Sequence, residues 1–155
     1  TGMATGAGDP RRVRRVGLVA IGLTVLVMAG IGLGLLLTPR LVTGLFLDPG
    51  VAGNRAALRL AVTLLGIAAL FQIADGVQAV AIGALRGMGD SSVPMVLATV
   101  GYWLVGAPLG WLLGFRLGFG VVGLWVGLAG ALVSVAVMMT ARFVLTTRCR
   151  HAEMA

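Results

Sequence analysis

Residues 60–85 read LAVTLLGIAALFQIADGVQAVAIGAL, and Asp75 is the one charge among them. A helix rising 1.5 Å per residue needs roughly 20 apolar residues to cross a bilayer core of about 30 Å. This stretch is long enough, and it lacks the strict alternation of a membrane barrel strand. Three further stretches, 16–39, 91–115 and 117–141, carry no charge at all. The reading is an all-α integral membrane region of four transmembrane helices. The spans are expected at about 16–38, 60–85, 93–115 and 120–143.

The composition agrees. Of 155 residues, 59% are hydrophobic and 11% charged, whereas a soluble domain carries about 25% charged residues. A chain this short buries too small a share of its surface to hide so much apolar area. A soluble enzyme and a disordered chain are both excluded. All twelve basic residues are arginines, giving a net charge of +7. They are strung between the apolar stretches, a pattern that suits helix ends on a membrane surface. No nucleic-acid partner is expected. The lone Cys149 excludes an internal disulfide and any CxxC site, and His151 has no partner ligand in sequence. Both read as ordinary tail residues.

Arginine counting sets the orientation. Four spans put both termini and the loop around Arg86 on one side, with Arg11, Arg12, Arg14, Arg15, Arg86, Arg142, Arg148 and Arg150. Arg40, Arg55, Arg59 and Arg116 lie on the other. The side with more arginines is expected to be cytoplasmic, in a multi-pass protein of the plasma membrane. Residues 1–15 then form a cytoplasmic linker, 16–145 the membrane region and 146–155 a cytoplasmic tail. RRVRR at 11–15 before an apolar run resembles a signal peptide, but the run is too long and no A-x-A-like site ends it. The small, non-periodic start at Thr1–Pro10 reads as a linker within a longer chain.

The connections carry helix signals. Asp48–Pro49 forms an N-cap and first-residue pair, predicting that the second helix starts there. In RGMGDSSVP (86–94), Asp90 or Ser92 is placed to cap the third helix. Pro108 removes a backbone bond in mid-span and predicts a kink. Gly30 with Gly34, and Gly123 with Gly127, form GxxxG pairs that allow close helix approach. Trp111 and Trp125 fall near the expected interfaces, as in an aromatic belt.

Asp75 stands out chemically. A carboxylate in mid-span costs roughly 2.5–3.5 kcal/mol on insertion scales, so such residues usually face a bundle interior or a cavity. Gln72, Asp75 and Gln78 are spaced three apart, which puts them on one face. They read as an ion or substrate site, or else as hydrogen-bonding glue between helices. Tyr102 offers a hydroxyl to a cavity or packs as an ordinary aromatic. No nucleophile triad, carboxylate pair or metal-ligand cluster is present in the sequence, so an enzyme is not expected.

The string FQIADGVQAVAIGALRGMGDSSVP (71–94) resembles the second half of multidrug and toxic compound extrusion (MATE) transporters, NorM-like branch, around the tenth helix. The matching residues are Asp75, Gln78, Leu85, Arg86, Gly87, Gly89, Asp90 and Pro94. GYWLVGAPLGWLLGF (101–115) and GVVGLWVGL (120–128) are similar to the eleventh and twelfth helices, and LFLDPGV (45–51) to the segment leading into the tenth. The resemblance implies a twelve-helix antiporter of two six-helix lobes, exporting cationic amphiphiles in exchange for Na+ or H+. It implies that Asp75 couples the cation and would be the metal contact if the ion is Na+. Gln72, Gln78 and Tyr102 would line the ion or substrate cavity. Arg86, Gly87, Gly89, Asp90, Pro94 and Pro108 would serve as motif and structural positions. No cofactor is expected beyond the coupling ion. The expected partners are the lipid bilayer, cationic small molecules and the N-terminal helices of a full transporter, of which this chain would be a C-terminal part. The alternatives are a lipid-linked sugar flippase of the same superfamily and a four-helix membrane interaction or assembly protein.

The orientation is testable through Cys149. A membrane-impermeant thiol reagent is expected to label it in inverted vesicles and to miss it in intact cells. Labelling of intact cells would reverse the topology.

Overall fold

The structure, a computed structural model, describes residues 1–48, 50–51 and 53–152. Its order is α1 (Gly2–Gly6), α2 (Pro10–Leu37), α3 (Pro39–Gly44), α4 (Asn54–Gly87), a third span and α7 (Gly120–Ala152). The third span joins α5 (Ser92–Val100), a π-helix at Gly101–Gly106, α6 (Ala107–Trp111) and a second π-helix at Leu112–Arg116. Four helices are long and apolar enough to cross a membrane: Arg11–Leu37, Asn54–Gly87, Ser92–Arg116 and Gly120–Cys149. The chain is a multi-pass membrane protein. There are no strands among the described residues.

Helix starts follow local chemistry. Asp9 caps α2, its carboxylate accepting the Arg12 N–H at 3.0 Å, with Pro10 in the first turn. The similar pair at Asp48–Pro49 does not start α4. The Asp48 carboxylate instead accepts the Gly50 N–H at 2.8 Å, and the Asp48 carbonyl accepts from the Asn54 side chain at 3.0 Å. These bonds hold a turn, so α4 begins at Asn54, behind Gly53 as N-cap. Pro49 itself lies outside the described residues, as do 52 and 153–155.

The expected linker at the N-terminus holds a short packed helix. Ala4, only 8% exposed, joins Val13, Ala84, Leu85, Met88, Met139 and Phe143 in a core at the terminal end of the bundle. The small residues of TGMATG allow this, since α1 reaches α4 across Gly87, where a side chain would strike Thr1 and Gly2. Phe143 is fully buried and sits over Gly17, where a Cβ would strike its ring. One aromatic thus ties α7 to α2.

α4 is the central helix, packing on α2 along one side and on α7 along the other, and α7 also carries the third span. The contact between α7 and the third span is backbone on backbone. A Cβ on Gly127 would collide with the Gly110 main chain, and one on Gly123 would stand 2.6 Å from the Gly114 nitrogen. Gly106 and Gly101 continue the row against Ala131 and Val135. The Gly123/Gly127 pair therefore works as close-approach glycine. Gly30 and Gly34 do not, because each faces open space. What separates the two pairs is a facing helix, and no local sequence feature encodes one. Pro108 falls in the first turn of α6, between the two π-helices, so the backbone bond it cannot make is absorbed among widened turns. Trp125 packs half-buried against Phe71, ring centroids 5.8 Å apart, joining α4 to α7.

Overpacking a tight contact costs about 1–3 kcal/mol. Gly127→Ala is therefore expected to lower the melting temperature in detergent by several degrees. Gly34→Ala, in open space, is expected to leave it unchanged or slightly raised. Equal behaviour of the two variants would refute the backbone contact.

Candidate functional site

The centre of α4 carries Gln72, Asp75 and Gln78, and the bundle treats them differently. Gln72 turns toward α2: its amide donates to the Met28 carbonyl at 3.3 Å and to the Ala69 carbonyl at 3.4 Å. It can reach Met28 because Gly32 leaves room, a Cβ there falling 2.7 Å from the Gln72 amide nitrogen. Gln78 turns toward the third span. Its amide donates to the Tyr102 hydroxyl at 3.1 Å, and that hydroxyl also faces the Gln78 carbonyl oxygen at 3.2 Å. Gln78 is only 9% exposed, so this pairing satisfies a polar group that would otherwise be costly to bury.

Asp75 lies between these two contacts and is exposed. Among the described residues it has no hydrogen bond, ion pair or aromatic neighbour. Its chain neighbour Gly76 packs into α2, where a Cβ would meet Thr24 and Met28. On one side the carboxylate is thus flanked by the α2 contact and on the other by the Gln78–Tyr102 contact, with its oxygens open. Sequence spacing expected one cluster of three. The structure joins Gln78 with Tyr102, sends Gln72 to α2 and leaves Asp75 free of both. The reason is that 120° of helix face, at about 100° per residue, spans two different neighbouring helices. No group of three or more His, Cys, Asp or Glu that could hold a metal occurs among the described residues. Oxygen donors for a cation at Asp75 would have to come from carbonyls, amides or water.

The motif at 86–94 sits at the terminal end of the bundle. Arg86 lies exposed in the last turn of α4, and Gly89 turns the chain with φ +83°. Pro94 is buried in the first turn of α5. Ser91, not Ser92, occupies the N-cap of α5, and it makes no capping bond from its side chain. Asp90 does not cap either. Its Oδ2 accepts from Arg142 Nε of α7 at 3.0 Å, with the side chains 16% and 41% exposed. This ion pair ties the turn after the second span to the end of the fourth. Arg142 had no role in the sequence reading beyond its charge. The available signal was an acid and an arginine at the same end of two helices, 52 residues apart.

Comparison with known proteins follows the same lines. The MatE family model matches residues 1–112. "Multidrug resistance protein NorM" of Burkholderia vietnamiensis is 52% identical over 142 residues, covering 92% of this chain and 31% of that protein. "Probable multidrug resistance protein NorM" of Brucella suis is 50% identical over 142 residues, covering 92% of this chain and 30% of that protein. The chain therefore spans about a third of the length of these relatives. The crystal structure of the eukaryotic MATE transporter AtDTX14 superposes with a TM-score of 0.83 at 21% identity, covering 98% of this chain and 34% of that one. That likeness concerns the fold. With a family model matched over most of its length, this chain belongs to the MatE family, which consists of transporters rather than enzymes.

Proposed function

We propose that this chain supplies four helices to a secondary multidrug exporter of the plasma membrane, both of its ends cytoplasmic, in which Asp75 carries the coupling cation. The observation that supports this most is the open carboxylate of Asp75 within a membrane-length helix. Placing a charge there costs roughly 2.5–3.5 kcal/mol, while an interhelical hydrogen bond in a membrane contributes on average about 0.6 kcal/mol. Helix glue would not repay that cost, and Asp75 makes no such bond among the described residues. Gln72 and Gln78 do, so the gluing role falls to them and to Tyr102.

The chemistry is that of a carboxylate held open within a membrane-length helix. A proton, Na+ or a cationic substrate can each balance its single negative charge. If the proton or Na+ and the cationic substrate compete for that one charge, and the site faces each side of the membrane in turn, uptake of one drives release of the other. The alternatives of a lipid-linked sugar flippase and of an assembly protein are favoured by no observation.

Asp75→Asn in the whole encoded protein is expected to fold and insert, because an amide is near-isosteric and cheaper to bury than a charge. Exchange of a cationic dye in proteoliposomes, driven by an imposed Na+ or H+ gradient, is expected to fall to the level of protein-free liposomes. Its melting temperature in detergent is expected to stay within a few degrees of the parent. Near-normal gradient-driven exchange by the Asn variant would remove Asp75 from the mechanism.

A further inference from the structure

The end of the bundle opposite the termini holds a cavity of about 820 Å³ between α3 and the first turns of α4. Three arginines line it: Arg40 from α3, and Arg55 with Arg59 from α4. Arg55 and Arg59 are four residues apart and so share a helix face. All three are exposed, and none has a carboxylate partner among the described residues. The Asp48 carboxylate, on the same loop, is turned to the Gly50 N–H. The hydroxyls of Thr43 and Thr63, also in the lining, donate to carbonyls of their own helices. The guanidinium groups are left as the free donors. The helix beside them adds to the same field: α4 starts with no side-chain cap and no acid in its first turn, so its positive end is uncompensated.

Three like charges around one cavity call for a counter-anion. The planar fork of a guanidinium matches phosphate in bidentate geometry. The remaining wall is apolar, with Leu58 and Val62 one turn apart on α4, leading from the arginines into the span. We propose that this cavity binds an anionic glycerophospholipid, its phosphate held by Arg40, Arg55 and Arg59 and an acyl chain laid along Leu58 and Val62. A free phosphate would use the arginines and leave the apolar wall idle. The site is separate from Asp75, which lies 16 residues beyond Arg59, about 24 Å along the helix at 1.5 Å per residue. Its charge would repel the cationic compounds proposed as cargo.

The test is thermal melting of the whole encoded protein in neutral detergent, titrated with phosphatidylglycerol, phosphatidylcholine or inorganic phosphate. Phosphatidylglycerol is expected to raise the melting temperature, and the other two are not. In the variant Arg40→Gln/Arg55→Gln/Arg59→Gln, the phosphatidylglycerol concentration for half effect is expected to rise roughly a hundredfold. Arg55→Glu, a single exposed change, is expected to weaken the response several-fold while leaving the lipid-free melting point equal to or slightly above the parent's, since it puts an acid in the first turn of α4. Arg12→Gln/Arg15→Gln, at the other end of the bundle, is expected to retain the response. An unchanged response in the triple variant or in Arg55→Glu would overturn the proposal. So would equal stabilisation by phosphatidylcholine, reproduction of the effect by inorganic phosphate, or loss of the response in the Arg12/Arg15 variant.

Discussion

In a bilayer an apolar side chain gains little by leaving lipid for protein, so helices associate where their backbones can come close. The row of glycines between α7 and the third span is that constraint made physical. Gly123 and Gly127 lie against the main chain of Leu113, Gly114 and Gly110, and Gly106 and Gly101 extend the row to Ala131 and Val135. The third span reaches this contact with π-helical turns on both sides of Pro108. Such turns are a form in which a proline-bearing helix can keep its backbone groups satisfied without water. Once α7 and the third span are joined, Tyr102 stands where Gln78 of α4 can reach it.

Polar residues divide their work accordingly. Gln72 and Gln78 each bond a different neighbouring helix, which accounts for their place in an apolar span. Several threonines and serines in the helices return their hydroxyls to carbonyls one turn back, as Thr24 does to Ala20 and Ser134 to Gly130. Thr140 of α7 is an exception, its buried hydroxyl making no hydrogen bond among the described residues. Asp75 departs from this economy, holding a costly group without a protein partner among the described residues.

The two ends of the bundle also differ. At the terminal end, Asp90 and Arg142 neutralise each other and the core around Leu85, Met139 and Phe143 closes the packing. At the other end, Arg40 of α3 with Arg55 and Arg59 of α4 face an open cavity and meet no acid among the described residues.

Much of this was legible in the amino-acid order, because length and hydropathy act locally. Four apolar stretches of membrane length dictate four helices whatever surrounds them, and a lone carboxylate in one of them is conspicuous on cost alone. The LRGxGD block at 85–90 was enough to suggest the family that the comparisons then showed. What depended on neighbours was decided only by the tertiary structure. Two identical GxxxG spacings differ because one faces another backbone and the other faces open space. Two Asp-Pro pairs differ because Asp9 meets the free N–H of Arg12 while Asp48 is held by Gly50. Gln72, Asp75 and Gln78 share a face by spacing, yet they part company because α2 and the third span each take one glutamine and leave the carboxylate between them. A hydrogen bond or a close backbone contact needs a partner in space, and no count along the chain says where that partner stands.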